Sequence, residues 1–414
     1  TNVIGVLTPL FRLNNITIPW EIVSYMQLNC SPVPSLFLTM IDNFGLIKSM
    51  NTPGHDNVLY LQILPPFENA YKKIELSFYI SNCSISGDVI SLVCSYYIPK
   101  WYDHVMRPYG KISSYELFEK VSNEYSLGFC TNIDGTKDSR YIYNPNMTPM
   151  ELLSSEIEYS GEGDHVFSWW VDFWNNINFI DLNKEYNEVL SDKDMMIWVS
   201  GNLPGGSNPD YVSQPNRRPA VLCNLPVLAG DPLYIDEYWP KTTSNVTDKI
   251  FEIYIMKDHS QKSTFIQDGD AYNDIFVKYE YGGELIGDYD YLSQKACRDM
   301  YLSKINSQTI QVSLNMPVLG LMKGGHVNLW WYDINNPVTD DIDNSDIRSN
   351  IPLPDNIDLG DSRSMINKTV SGQYYIMDVQ YTYSNFRWSC LYTLGRPAQS
   401  VERLNEVSES SFVK

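Results

Sequence analysis

The sequence has little of what common enzyme chemistry uses. Its 414 residues include five histidines, His55, His104, His165, His259 and His326. None stands in an HExxH or HxH spacing or beside a cysteine pair, so zinc is not expected. No GxSxG, GxxxxGK[ST] or GxGxxG occurs. The nucleophile elbow, the P-loop and the dinucleotide fingerprint are therefore missing. The seven cysteines (Cys30, Cys83, Cys94, Cys130, Cys223, Cys297, Cys390) are odd in number, widely spread and without a CxxC. They read as free thiols of a protein made in a reducing cytoplasm. Six N-x-S/T sequons, among them Asn15, Asn82 and Asn245, are near chance for so Asn-rich a chain and do not imply secretion. No signal-peptide pattern opens the sequence, and no apolar run approaches the roughly 20 residues of a membrane span. The chain starts at Thr1, so an initiator Met is expected to have been removed or left out.

Positive charge is also scarce. Lys and Arg number 30 against 50 Asp and Glu, a formal net charge of −20. No Lys/Arg cluster forms a phosphate-binding stripe, and an acidic surface repels nucleic acid. The simplest role of the acids is solubility.

What is abundant is apolar and aromatic. Hydrophobic residues make up 43% and charged residues 19%, enough for real cores and too apolar for disorder. The length fits roughly two to three domains. Tyrosines number 30 against 15 phenylalanines, and Tyr supplies contact area with a polar tip, in interfaces as well as cores.

The clearest pattern lies near the end, in residues 374–394 (YYIMDVQYTYSNFRWSCLYTL). Tyr375, Met377, Val379, Tyr381 and Tyr383 alternate on one face, with Tyr374, Ile376, Asp378, Gln380 and Thr382 opposite. After Ser384-Asn385, Trp388, Cys390, Tyr392 and Leu394 alternate again. A period of two with aromatic and β-branched residues is a strand hairpin. A hairpin alone is not stable in water, so other strands must complete it. The first hundred residues supply candidates: Val3–Leu13, Ile22–Cys30, Ser35–Ile41, Val58–Leu64, Lys73–Ile80 and Val89–Ile98. Turns at Asp42–Gly45, Thr52-Pro53-Gly54 and Ser86-Gly87-Asp88 separate several of them. This spacing fits an antiparallel barrel or sandwich.

The pattern then changes. Ser113 and Glu116 form a capping box ahead of a helical stripe, Leu117, Phe118, Val121 and Tyr125, with Gly128 expected at the C′ stop. Thr148-Pro149-Met150-Glu151 repeats this logic. Residues 164–177 (DHVFSWWVDFWNNI) read as a further helix with Phe167, Trp170, Val171 and Trp174 on one face. Residues 200–219 read as a Gly/Pro/Asn-rich loop. Strands resume at Ile250–Met256, Ile275–Tyr281, Thr309–Met316 and His326–Tyr332, with a helix expected at Asp290–Lys304. Asp333–Ser364 reads as an exposed acidic loop and Glu402–Lys414 as a polar tail. Two β regions of similar strand content point to a distant internal duplication.

Two acidic constellations invite a function. Asp172 and Asp181 flank the Trp-rich segment, as a glycosidase pair beside aromatic platforms would. Acidic pairs are unspecific, and these two are expected to cap or solvate a packed aromatic helix. The run Asp340–Asp346 invites a Ca²⁺ loop, but counting from Asp341 the sixth position is Asp346 and the twelfth Pro352, where an EF-hand needs Gly and Glu. No catalytic, cofactor-binding or metal-ligating residue is assigned, no cofactor is expected, and the chain is not expected to be an enzyme.

The order of elements resembles a known family. A β region ends in Tyr96-Tyr97-Ile98-Pro99. The capped helix at Ser113-Ser114-Tyr115-Glu116-Leu117 leads to Leu127-Gly128-Phe129-Cys130-Thr131-Asn132. Tyr143-Asn144-Pro145 and Thr148 follow, then Trp170–Leu182. The closing β region carries Met322–Val327 and Ser371–Val379. This arrangement, over most of residues 1–400, resembles the baseplate hub proteins of tailed phages, related to the hub half of type VI secretion spikes. The resemblance implies a mainly β fold of two tube-type antiparallel β-barrel domains with an inserted mixed α/β domain. The corresponding divisions are 1–104 (first barrel), 105–218 (inserted domain and linker), 219–400 (second barrel with the acidic loop) and 401–414 (tail). It implies a structural role joining tail tube to central spike, in a homotrimer contacting the tail tube protein, the spike and other baseplate proteins. Such a ring would lie in the virion tail, made in the bacterial cytoplasm, and pass DNA as transiting cargo. With a net charge of −20, an acidic channel wall is the expectation. The alternatives are a carbohydrate-binding or glycoside-degrading tail protein and a viral capsid jelly roll. Asp333–Ser364 is a departure from the family pattern.

Overall fold

Alternation of apolar and polar residues builds the frame. The N-terminal strands are β1 (Leu10–Leu13), β2 (Ile16–Ile18), β3 (Val23–Asn29), β4 (Ser35–Ile41), β5 (Val58–Ile63), β6 (Ile74–Ser86) and β7 (Val89–Tyr96). In β4, Leu36, Leu38 and Met40 are buried while Ser35, Phe37, Thr39 and Ile41 point away. In β7, Ile90, Leu92, Cys94 and Tyr96 are buried in the same manner. One face is therefore core and the other open, as in an antiparallel sheet covered on one side. Gly87, with φ +61°, closes the two-residue turn between β6 and β7, a conformation that favours glycine.

The chain continues as β8 (Val105–Ile112), α1 (Ser114–Glu124), β9 (Gly128–Thr131), β10 (Arg140–Met147), α2 (Pro149–Glu156), β11 (Phe167–Val171), β12 (Asn176–Asp181) and α3 (Leu182–Tyr186). Then come β13 (Met195–Val199), β14 (Ala220–Cys223), β15 (Val227–Leu228), β16 (Leu233–Tyr234), β17 (Ile250–Lys257), β18 (Ser260–Gln267) and β19 (Phe276–Tyr281). The last are β20 (Gln308–Leu314), β21 (His326–Trp330), β22 (Gly372–Ser384), β23 (Arg387–Arg396) and β24 (Gln399–Ser400). The structure, a computed structural model, describes residues 8–14, 16–43, 45, 57–64, 73–160, 165–186, 195–199, 220–223, 227–228, 233–234, 250–257, 260–267, 276–281, 298, 302, 306, 308–314, 317, 321–330, 372–396 and 399–400. The 200–219 loop, the Asp333–Ser364 loop with its Asp340–Asp346 run, the polar tail and the Thr52-Pro53-Gly54 turn lie outside them. Of the expected helix at Asp290–Lys304, Arg298 and Leu302 are described, both helical.

The fold is mainly β. Strands from both ends of the chain join in one 14-stranded, largely antiparallel sheet that curls into a half-barrel. Its path runs β14-β13-β21-β22-β3-β4-β7-β6-β5-β1-β2, and β23, β20 and β15 extend it from the other side of β22. The expected hairpin is thus its hub. Gln380–Ser384 of β22 pair with β3, its first residues pair with β21, and its opposite edge pairs with β23. A β-bulge at Met377 corrects the reading of β22 as having one face throughout. Before the bulge Tyr374 and Ile376 join the main core; after it Val379, Tyr381 and Tyr383 do. Tyr375 turns outward to pack with Val166 and Leu182. The connecting turn is Asn385-Phe386, both with positive φ, one residue later than expected.

The inserted α/β unit packs its aromatic residues onto the same core. Both capping boxes form: Glu116 N donates to the Ser113 side chain (3.2 Å) and Ser113 N to Glu116 Oε2 (2.8 Å). Thr148 and Glu151 do the same for α2. Phe118 stacks on Phe179 at 4.6 Å, and Phe179 on Phe167 at 5.1 Å. Two corrections arise here. The expected helix at 164–177 is a hairpin, β11 and β12, because Asp172 closes a tight turn. Its Oδ1 accepts from Trp174 N (2.8 Å) and Asn176 N (2.9 Å), and Asn175 adopts φ +61°. Aromatic residues at spacings of three and four imitate a helical stripe, but these favour the pleated surface of a strand. Gly128 is not the helix stop. Ser126 takes the left-handed conformation (φ +57°), and Gly128 begins β9.

Candidate functional site

The acidic pair does not form a catalytic constellation. Asp172 sits at the hairpin turn and Asp181 faces Phe167 at the far end of the ladder. Five residue steps at about 3.3 Å put them roughly 17 Å apart, against about 5–9.5 Å for glycosidase carboxylates. Asp172 spends both oxygens on four donors; Oδ2 accepts from the side chains of Asn176 (2.9 Å) and Asn178 (3.2 Å). Asp181 is fully buried and pairs with His165 Nδ1 at 2.5 Å. Asp172 thus closes a hairpin turn rather than capping the expected helix, and Asp181 anchors the start of α3, accepting from Asn183 N at 3.1 Å.

The histidines hold the frame too. His104 Nδ1 meets the carbonyl of Asn146 at 2.9 Å, and His326 Nε2 meets that of Glu185 at 2.5 Å. His55 and His259 lie outside the described residues, among which no group of three His, Cys, Asp or Glu could hold a metal. Cys30, Cys94 and Cys390 are buried and free, Cys83 is half-buried and Cys130 exposed. Burial pushes the thiols of Cys30 and Cys390 well up from the ordinary value. Cys297 is outside the described residues, and only the backbone of Cys223 is described.

A cavity of about 150 Å³ opens beside the Trp-rich turn, lined by Cys30, Trp170, Asp172, Trp174, Met322 and Lys323 among others. It is small against the roughly 300–1,000 Å³ of a drug-sized pocket. Lys323 Nζ donates to Ser31 Oγ and lies 5.3 Å from the centroid of the Trp170 ring, a cation–π distance. Burial lowers the pKa of Lys323, opposed by the charge of Asp378. Gly324 passes against the edge of that ring; a Cβ there would come within 2.6 Å of Trp170 Cη2. The cavity is the seam where the β3–β4 loop, the β11–β12 turn and residues 322–325 meet.

A broader surface is the open face of the main sheet. It carries Tyr25, Gln27 and Asn29 on β3, Thr39 on β4, Ser91 and Ser95 on β7, Gln380 and Thr382 on β22, and Ser389 and Thr393 on β23, with exposed Phe37 and Ile41 on β4 and Val89 and Val93 on β7 between them. The polar side chains bond along and across strands. Tyr25 donates to Gln27 (2.7 Å), Gln27 and Gln380 donate to Asn29 (3.1 and 3.0 Å), and Ser81 pairs with Ser95 (2.5 Å). On the described strands β1, β3–β7, β20, β23 and the part of β22 after the bulge, the charges on this face are Arg12, Glu75, Asp378 and Arg387, two of each sign. Among these described strands the excess acid of the chain is therefore not on this face. Sequence reasoning followed the apolar half of each strand and passed over this polar half, although every serine and threonine in it was visible. It also missed β8 and β10 as strands, despite the alternation Tyr141-Ile142-Tyr143-Asn144.

No protein-family model matches the sequence, and no curated protein gives a significant match. Solved structures do match in fold. The 43 kDa tail protein of prophage MuSo2 from Shewanella oneidensis aligns with a TM-score of 0.54 at 9% identity, over 94% of this chain and 98% of that one. The tail protein from Neisseria meningitidis MC58 aligns with a TM-score of 0.53 at 8% identity, over 94% of this chain and 96% of that one. A chain of the Francisella PdpA–VgrG complex aligns with a TM-score of 0.48 at 12% identity, over 96% of this chain and 59% of that one. Over nearly its whole length this chain has the fold of the two tail proteins.

Proposed function

We propose that this chain is a structural component of a phage tail baseplate hub, joining the tail tube to the central spike as a homotrimeric ring. The observation that carries the reading is the fold shared over 94% of the chain with two tail proteins, which is a fold-level analogy. The one-sided sheet supports it, since a curled wall with a buried back and an open front of mixed, sparsely charged side chains suits a tube. In this reading residues 1–104 and 219–400 supply tube-type β domains, 105–218 the inserted α/β domain and 401–414 a tail. The protein resides in the virion tail, is made in the host cytoplasm, and meets the tube protein, the spike and other baseplate proteins. It has no catalytic role.

The open face is the wall of the passage. DNA adheres to proteins mainly by exchanging its counterions for Lys and Arg. A face with two acids, two bases and many hydroxyls and amides gives phosphate no net attraction. Sparse fixed charge, rather than an acidic coat, then keeps the cargo from sticking.

The test is the solution mass of the purified chain by light scattering, followed by class averages of the particles. The expected result is three chains in a ring with a central hole and a six-lobed outline. A species that remains monomeric both alone and with its cognate spike would overturn the reading.

A further inference from the structure

Lys323 carries a charge that the described residues do not pair. It sits in the turn just before β21, and its ammonium lies 5.3 Å from the centroid of the Trp170 ring. Of its three N–H donors one goes to Ser31 Oγ. Among the described residues no carboxylate forms an ion pair with it. Asp378 attracts it only from further away, and burial outweighs that attraction, so the pKa of Lys323 is lowered. Asp172 is close by, but its two oxygens already accept from four N–H donors. A ring face attracts a cation without offering its N–H groups an acceptor oxygen. An ammonium withdrawn from water is stabilised when hydrogen bonds join it to an opposite charge.

This ammonium stands in the wall of the cavity of about 150 Å³. The rest of the wall is mostly apolar, with Trp170, Val171, Phe173, Met322 and Val379. Trp174, 42% exposed, is the lining residue most open to solvent. A cavity of about 150 Å³ accommodates a body the size of benzene, about six heavy atoms. We propose that Lys323 and the cavity between Trp170 and Trp174 bind a carboxylate on a short aliphatic stem, either free or as an acidic side chain of a neighbouring protein. The carboxylate accepts from the N–H donors that Ser31 leaves, and the stem lies against the indole rings. A tetrahedral dianion suits the site less. One ammonium does not balance its charge, the apolar wall gives its other oxygens no donor, and Asp172 and Asp378 repel it. The site does not depend on the ring reading above.

The test is saturation-transfer NMR on the full chain with butyrate, which has six heavy atoms, and with its neutral counterpart butyramide. Butyrate should bind at least about tenfold more tightly than butyramide, because its hydrogen bonds run between charged groups. Lys323→Met keeps the length and the apolar stem of the side chain and should abolish the transfer to butyrate. N-acetylglutamate α-amide carries the same group on a peptide unit and separates the two sources. Tighter binding than butyrate assigns the site to a protein side chain, and weaker binding to a free carboxylate. No transfer to either carboxylate, equal binding of butyrate and butyramide, or unchanged binding by a folded Lys323→Met would each overturn the proposal. Should that variant fail to fold, the comparison of butyrate with butyramide on the wild type still decides it.

Discussion

Gly128 offers a substitution whose sign depends on one neighbour. It opens β9 and lies opposite Asn176 in the parallel pairing with β12. Its φ is not positive, so alanine is free to adopt the backbone; the obstacle is space. A Cβ would stand 2.0 Å from Asn176 Oδ1, inside any allowed contact. Asn176 must then rotate, and its Nδ2 loses the bond to Asp172 Oδ2 at 2.9 Å. A hydrogen bond to a charged group is worth about 1.5–3 kcal/mol. Replacing Gly by Ala returns about 0.4–1 kcal/mol by restricting the unfolded chain. Gly128→Ala should therefore destabilise by about 1–2 kcal/mol. In an Asn176→Ala background the obstacle and the bond are both gone, and the same change should be neutral or stabilise by up to about 1 kcal/mol. Urea unfolding followed by tryptophan emission measures all four corners of the cycle. Equal effects of Gly128→Ala in both backgrounds would refute the steric argument.

Three further expectations are simpler. Ser113→Ala removes the acceptor for Glu116 N and should cost about 1 kcal/mol, read as faster amide exchange in the first turn of α1. Glu151 has its pKa lowered below the ordinary 4.5 by hydrogen bonds from Thr148. A depressed folded pKa means its contribution is present above about pH 4.5 and fades as pH falls through the folded value. Amide exchange at Leu152 and Leu153 should accelerate in that acid window; Thr148→Ala removes only the hydroxyl bond and should weaken the acid dependence, while Glu151→Gln should abolish it. Finally, iodoacetamide at pH 8 should label Cys130 first, while Cys30 and Cys390, buried and held in the thiol form, should react only on unfolding. Peptide mass spectrometry gives the order, and early labelling of Cys30 would contradict its burial.

The open face bears on how net charge is read. A value of −20 describes the whole chain, and an acidic wall was the natural expectation. Yet on β4 and β7 the open face carries Ser35, Phe37, Thr39 and Val89, Ser91, Val93, Ser95, uncharged residues set between the core positions Leu36, Leu38, Met40 and Ile90, Leu92, Cys94. They alternate because the strand does. Composition sums over surfaces, and only the register of strands says which surface holds which residues.

Local chemistry was legible where one stretch of chain sufficed. Strands β3 to β7, both capping boxes and the β22–β23 hairpin were apparent from alternation, Ser113/Glu116, Thr148/Glu151 and a polar turn. The caps close within three residues and the strands show themselves by their own alternation, although their partners, as for β4 and β7, can lie some fifty residues away. The Trp-rich stretch was misread because Phe167, Trp170, Val171 and Trp174 fit a helical face as well as strands, and the choice falls to long-range partners. Asp172 closing the turn, Gly128 meeting Asn176 and the core under Phe179 decide for the hairpin. The bulge at Met377 has the same cause: Tyr375 must reach Val166 and Leu182 while Tyr381 stays in the main core. The pairing of β22 with β3, which joins the two ends of the chain in one sheet, spans some 350 residues. Periodicity carries no information across such a distance. Strand existence was a property of the sequence; strand order, and with it which side chains share the open face of the sheet, belongs to the tertiary structure.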